Sequence, residues 1–242
     1  MQSEGRRIHG LAAKARERGE SVEAVKLAED AMAVYQKEGD ALGFAEALAD
    51  QFLSLRHIFD KTGDRKYLLR AKHSAMVSVE IAEESGDKSA LAIPYFNLAK
   101  AQESLDELQE AVSSYKKAVE LIVSDPPAVH KVTERPAIVA DFKVHLATCE
   151  YKQSFSTNKA GDESALERAE AALADLESHP DIEGYNQHVW VSGGHMRIAE
   201  MLREVNPVKA KEHLQKAKDI IDSDQRLTIR LSQWQKLAEK FQ

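Results

Sequence analysis

The chain has 242 residues, enough to bury a sizeable core either as one large domain or as a stack of small units. With 43% hydrophobic and 30% charged residues but only 11 Gly, 6 Pro and 6% aromatics, the composition is that of a mostly helical chain, with strand formers sparse. A formal net charge of -7 opposes non-specific attraction to phosphate backbones and anionic lipid, so neither a nucleic acid nor a membrane is the expected partner.

The opening stretch Met1-Gln2-Ser3-Glu4-Gly5-Arg6-Arg7 carries no apolar core of signal-peptide length, and no apolar run approaches a membrane span. The expected location is therefore the cytoplasm. Cys149 is the single cysteine; flanked by Leu146, Ala147 and Tyr151, it reads as a small residue lining a helix rather than a reactive thiol.

In chain order, five segments repeat one pattern: a turn or capping signal followed by an alanine, an apolar residue four positions on, and a third, usually small, residue three further. The copies are Ala24/Ala28/Ala31, Ala71/Ala75/Ser78, Ala111/Tyr115/Ala118, Ala169/Leu173/Leu176 and Ala210/Leu214/Ala217. The signals before them are Arg18 to Ser21, Thr62-Gly63-Asp64, Leu105-Asp106-Glu107, Ala160-Gly161-Asp162 and Val205-Asn206-Pro207. Spacings of three and four put each triplet on one helix face, and each copy follows another amphipathic segment across a short polar break.

The reading is five helical hairpins, at about 3–38, 41–85, 88–123, 134–178 and 186–222, in a single domain spanning 1–242. Small residues recur because two helices reach the short end of the usual ~8–10 Å separation only where side chains are short. The first alanines of the triplets fall at uneven intervals of about forty to sixty residues. The extra length is expected in loops at Thr62 to Leu69, Asp125-Pro126-Pro127 to Pro136, and Ser154 to Asp162, with Pro136 in the first turn of the next helix. A last helix at 224–241, with Leu227, Leu231, Trp234, Leu237, Ala238 and Phe241 on one face, is expected to cover the end of the stack, Trp234 serving as a covering residue.

The third hairpin, with Tyr95, Leu98, Ala99, Ala111, Tyr115 and Ala118 in order, resembles the tetratricopeptide repeat (TPR) family. The first offers Ile8, Leu11, Ala12, Gly19, Ala24, Ala28 and Ala31, and the fifth Trp190 and Gly194 before Ala210 and Ala217. The long helices are similar to the extended repeats of motor light chains and of bacterial regulators that sense peptides. The resemblance implies an all-α, right-handed solenoid of five antiparallel pairs with a concave groove lined by the first helix of each pair. In that register the groove carries His9 and Arg16, then Glu46 and Asp50, then Phe96, Asn97 and Lys100, then His145 and Thr148, then His195, with Phe96 as a large aromatic on the open side.

No chemistry competes with this reading. His188 and His195 lie seven apart without a third ligand at zinc spacing, so they read as exposed or groove-lining, and no metal or cofactor is expected. Ser192-Gly193-Gly194 lacks the preceding strand and the following Lys-Ser or Lys-Thr of a phosphate loop; close helix packing behind Trp190 accounts for its glycines instead. Glu83-Glu84 and the series Glu163, Glu167, Glu170 and Glu177 read as solvated faces. The expectation is a non-enzymatic scaffold that holds a protein or peptide. The alternatives are a structural protein assembling into homo-oligomers and the ligand-sensing part of a bacterial regulator.

Overall fold

A computed structural model describes residues 3–127, 135–158, 160–179 and 184–241. Regular structure among these residues is helical throughout, and the chain divides into two compact units, Met1–Pro127 and Ala128–Gln242.

The first unit contains α1 (Glu4–Glu17), α2 (Ser21–Glu38), α3 (Ala41–Thr62), α4 (Arg65–Glu84), a 3-10 turn at Lys88–Ala90, α5 (Ala92–Ser104) and α6 (Leu108–Ser124). Each helix packs on the next up to α6, and α1 touches α3 as α3 touches α5. The second unit contains α7 (Arg135–Asn158), α8 (Glu163–Ser178), α9 (Tyr185–Leu202), α10 (Pro207–Ser223) and α11 (Thr228–Glu239). There too neighbours pack in order, and α9 also touches both α7 and α11. Contact between alternate helices is what stacking of hairpins produces, and within each unit first helices lie beside first helices.

The five triplets form the centre of each hairpin. Every one of their residues is buried, and the alanines among them are fully so. Larger side chains fill the spaces between helices: Tyr35, Phe52, Leu55, Leu68 and Tyr115 in the first unit, and Val144, Leu176, Ile198 and Leu202 in the second. Cys149 is fully buried.

Local chemistry sets the helix ends. The carboxylates of Asp40, Asp64 and Asp162 and the Asn206 side chain each accept a backbone N–H at the start of α3, α4, α8 and α10. Pro207 sits in the first turn of α10 and Pro136 in that of α7. Gly63 ends α3 at a φ of 69°, a left-handed conformation that L side chains resist.

Two of the expected loops are shorter than expected, because helix takes up part of each. Only Gly63 and Asp64 separate α3 from α4, so the extra length near Thr62 to Leu69 lies in helices of 22 and 20 residues. Likewise α7 continues through Ser154 to Asn158. The third expected loop, up to Pro136, falls largely outside the described residues.

At the end of the second unit, Leu231, Trp234, Leu237, Ala238 and Phe241 pack over Met196, Ala199, Leu214, Ala217 and Ile221. The Trp234 indole N–H donates to the Leu214 carbonyl at 2.9 Å. This helix closes an apolar face that α9 and α10 would otherwise leave in water.

Candidate partner-binding faces

In the first unit, the neighbouring helices α1, α3 and α5 meet through polar side chains. Asp50 of α3 accepts from Arg16 Nη1 at 2.6 Å and lies 3.0 Å from His9 Nε2, so one carboxylate joins two residues of α1. Arg6 pairs with Glu46 four residues earlier on α3. Asp50 and Arg16 are largely covered, whereas Glu46 and Arg6 are about 40% exposed. On its other nitrogen His9 meets the hydroxyl of the fully buried Tyr35 at 3.3 Å. Burial, helped by Glu46, Asp40 and Glu38 and opposed by Arg6, pushes that phenol up to about 12, keeping it neutral.

Helix α5 turns its candidate residues in different directions. Lys100 is half-buried and its Nζ lies 4.7 Å from the Phe96 ring centre and 5.7 Å from that of Phe52. The Arg56 guanidinium approaches Phe52 at 5.7 Å as well. Phe96, expected on the open side, is instead buried at 5% exposure and meets Tyr115 edge-on at 5.6 Å. Asn97 is buried beside it, and the Tyr115 hydroxyl donates to Glu103 at 2.8 Å. An aromatic at this position completes the α5–α6 core, and the cation above it is what reaches the surface.

The second unit has its own polar face on α7, α9 and α11. Thr148 is fully buried; its hydroxyl donates to the Val144 carbonyl at 2.8 Å and accepts from Arg197 Nε at 2.9 Å. His145 is half-buried, 3.9 Å from the Asp141 carboxylate. Glu200 receives Lys240 at 2.6 Å and Lys152 at 3.8 Å. Burial raises the Glu200 carboxyl, but Lys152, Lys240 and Arg197 outweigh it and hold the group below the usual carboxylate range.

His195 does not belong to this face. It is 2% exposed, its Nε2 lies 2.9 Å from Glu177 of α8, and its Nδ1 lies 2.9 Å from Nδ1 of His213 on α10. Arg197 and Glu200 occupy the polar side of α9 instead. Two residues correspond to about 200° of rotation in an α-helix, so a register displaced by two points a side chain to the opposite side. His188, the other histidine read as exposed or groove-lining, bonds to Asp224 at 3.1 Å.

The glycines of α9 do mark a close approach. A Cβ on Gly194 would stand 2.7 Å from Leu173 Cδ1, so the helix that presses there is α8. A Cβ on Gly193 would lie 3.0 Å from the Arg230 guanidinium, which crosses it to reach the Val189 carbonyl at 2.8 Å. Among the described residues no group of three His, Cys, Asp or Glu is placed to hold a metal ion, and no helix is long and apolar enough to cross a membrane.

Arg6, Arg56, Arg197, Glu200 and Lys152 belong to these faces but were not marked by the sequence. Arg6 had a usable signal, lying three residues before His9 and so on the same face of α1, whereas Arg197, two residues from His195, had none. The others are ordinary charged positions whose neighbours only the fold supplies.

Two solved structures share the helical fold, both of nearly identical TPR-like repeats from a Podosopora anserina protein assigned as a kinesin light chain. One superposes with a TM-score of 0.58 at 17% identity, over 93% of this chain and 100% of the other. The second gives 0.55 at 16% identity, over 98% and 99%. The chain has the fold of TPR-type helical repeat proteins. No family model matches the sequence, and no curated protein matches it. At such identity the TPR-type architecture is what the two structures share with this chain.

Proposed function

We propose that this protein is a cytoplasmic, non-enzymatic binding module that holds an extended segment of a protein partner against the polar faces of its first helices, with residues 1–242 acting as one domain. The observation that supports this reading is the cross-helix ordering of charge in the first unit: Arg16 on Asp50, Arg6 on Glu46, and Lys100 over Phe52. Side chains already fixed by neighbouring helices lose less entropy when a partner docks, and alternating sign selects the orientation of a bound segment. A net charge of -7 supports a protein partner over nucleic acid or membrane.

The test is affinity capture from source cells with the wild type, followed by fluorescence anisotropy on a labelled peptide mapped from the captured protein. Lys100→Glu and Arg56→Glu are expected to weaken binding at least about tenfold, whereas Met76→Glu on α4 leaves it unchanged. Loss of binding in Met76→Glu alone would place the binding surface on the second helices.

A self-assembly reading has one observation in its favour. Leu69 and Met76, two turns apart on α4, are 52% and 41% exposed. Light scattering across a range of concentrations separates the two readings, because a constant monomer mass excludes assembly.

A further inference from the structure

The second unit contains a buried titratable cluster that partner binding does not use. His195 of α9 and His213 of α10 face each other through their Nδ1 atoms at 2.9 Å, with ring centres 5.1 Å apart. They are 2% and 9% exposed. On its far side His195 Nε2 reaches the half-exposed Glu177 carboxylate at 2.9 Å.

Proton arithmetic follows from this geometry. An ionised carboxylate only accepts, so His195 Nε2 carries a proton and donates to Glu177. With both rings neutral, His195 Nδ1 is then the acceptor and His213 Nδ1–H the donor. One added proton still fits, on His213 Nε2, because a single hydrogen remains between the two Nδ1 atoms. A further proton sets two N–H groups against each other at hydrogen-bond distance and leaves two cations side by side in a covered site.

We infer that the His195–His213 contact is a proton-operated latch, joining α9 to α10 while a single hydrogen lies between the rings and releasing them when both rings are fully protonated.

Burial opposes proton uptake by the pair, and the charges around it act in both directions. From α8, Glu177 faces His195 and Glu170 faces His213; from α10, Lys216 acts on both rings and Lys209 on His213. The cations that α7 and α11 turn toward α9 are engaged elsewhere: Lys152 and Lys240 on Glu200, and Arg230 on the Val189 carbonyl. Burial lowers His195 below the ordinary imidazole value despite Glu177. Burial, then His195 and Lys216, push His213 down to about 4 against Glu170. Because both folded-state values lie below the unfolded value of about 6.5, the unfolded chain takes up protons first. The stabilisation is full above about pH 6.5 and is lost as pH falls toward the folded values.

The experiment is a series of urea unfolding curves on the full chain from about pH 7 to about pH 4.5, with ring-nitrogen NMR of His195 and His213 in the wild type. The wild-type midpoint should fall across this range. In His213→Asn, which keeps an amide donor near Nδ1 but does not titrate, the fall should be at most half as large. Lys216→Gln, at an exposed position, removes a cation that lowers both rings, so the acid loss should become smaller and be complete at a higher pH than in the wild type. If wild type and His213→Asn give parallel profiles, or if both rings titrate at or above the free imidazole value, the latch is refuted. Should His213→Asn fail to fold, the NMR titration and the Lys216→Gln profile decide the question.

Discussion

The ring of Tyr35 occupies the space that a side chain on Gly43 would need: a Cβ there would stand 2.5 Å from Cε1. Gly5 of α1 makes the same approach from the other side, at 2.6 Å, so glycines on α1 and α3 clamp a fully buried tyrosine of α2. Gly43→Ala gains the helix propensity of alanine, about 1 kcal/mol, but must move a ring that has no free volume. Overpacking of that kind costs about 1–3 kcal/mol. Denaturant midpoints should therefore drop for Gly43→Ala and rise for Gly10→Ala, where no atom lies within 4 Å of the new Cβ. A Gly43→Ala protein at least as stable as the wild type would show that the clamp is absent.

Asp50 serves two partners with one carboxylate, and both it and Arg16 are largely removed from water. Asp50→Ala should destabilise the chain by about 1–3 kcal/mol, more than an exposed pair gives, because Arg16 and His9 keep their covered positions without the acceptor. In a double-mutant cycle, Asp50→Ala with Arg16→Ala should lose less than the sum of the single losses, by about 0.5–3 kcal/mol. Strict additivity would mean that the pair does not form in solution.

Trp234 combines packing and a hydrogen bond, and two substitutions separate them. The Leu214 carbonyl lies inside α10, so losing the indole donor leaves it the partner of its own helix, and Trp234→Phe should cost at most about 1 kcal/mol. Trp234→Ala removes the ring from over Leu214 and Ala217 and should cost about 2–4 kcal/mol. Thermal unfolding of both variants measures the difference. Equal losses would assign the role of Trp234 to the hydrogen bond.

The fold was legible because small residues at spacings of three and four, each after a turn or capping signal, leave a helix one way to pack. Ala24, Ala71, Ala111, Ala169 and Ala210 are all fully buried, as that pattern requires. Polar faces are less legible, since a charged residue is tolerated anywhere on a wet surface and its neighbours belong to other helices. Phe96 shows one failure: an aromatic assigned to the open side packs on Tyr115, because a large ring gains more from the core than from a groove. His195 shows the other. The repeat register placed it on the groove, but two hydrogen-bonding neighbours, Glu177 and His213, make burial acceptable. Both partners lie eighteen positions away in sequence, beyond the reach of helical periodicity.

Asp224 closes the turn before α11 and should leave a signature in acid. Its carboxylate accepts from the Arg226 guanidinium at 2.6 Å and 2.8 Å, from the Arg226 backbone N–H at 3.1 Å, and from His188 at 3.1 Å. The Arg226 bonds, outweighing burial and supported by His188, hold this carboxyl well below the usual range. A group whose folded-state value is depressed stabilises fully above its unfolded value, near 4, and progressively less as pH falls below it. Asp224→Asn removes the charge at every pH, so the stability gap to the wild type should be widest at neutral pH and close below about pH 4. Urea unfolding at a series of pH values between about 7 and 2 reads the gap directly. Arg226 also stacks at 4.9 Å over Tyr185, the first residue of α9, so the turn is tied to that helix as well. A gap that stayed constant into strong acid would mean that the turn depends on hydrogen bonds an amide supplies equally well, and that the charge on Asp224 contributes nothing.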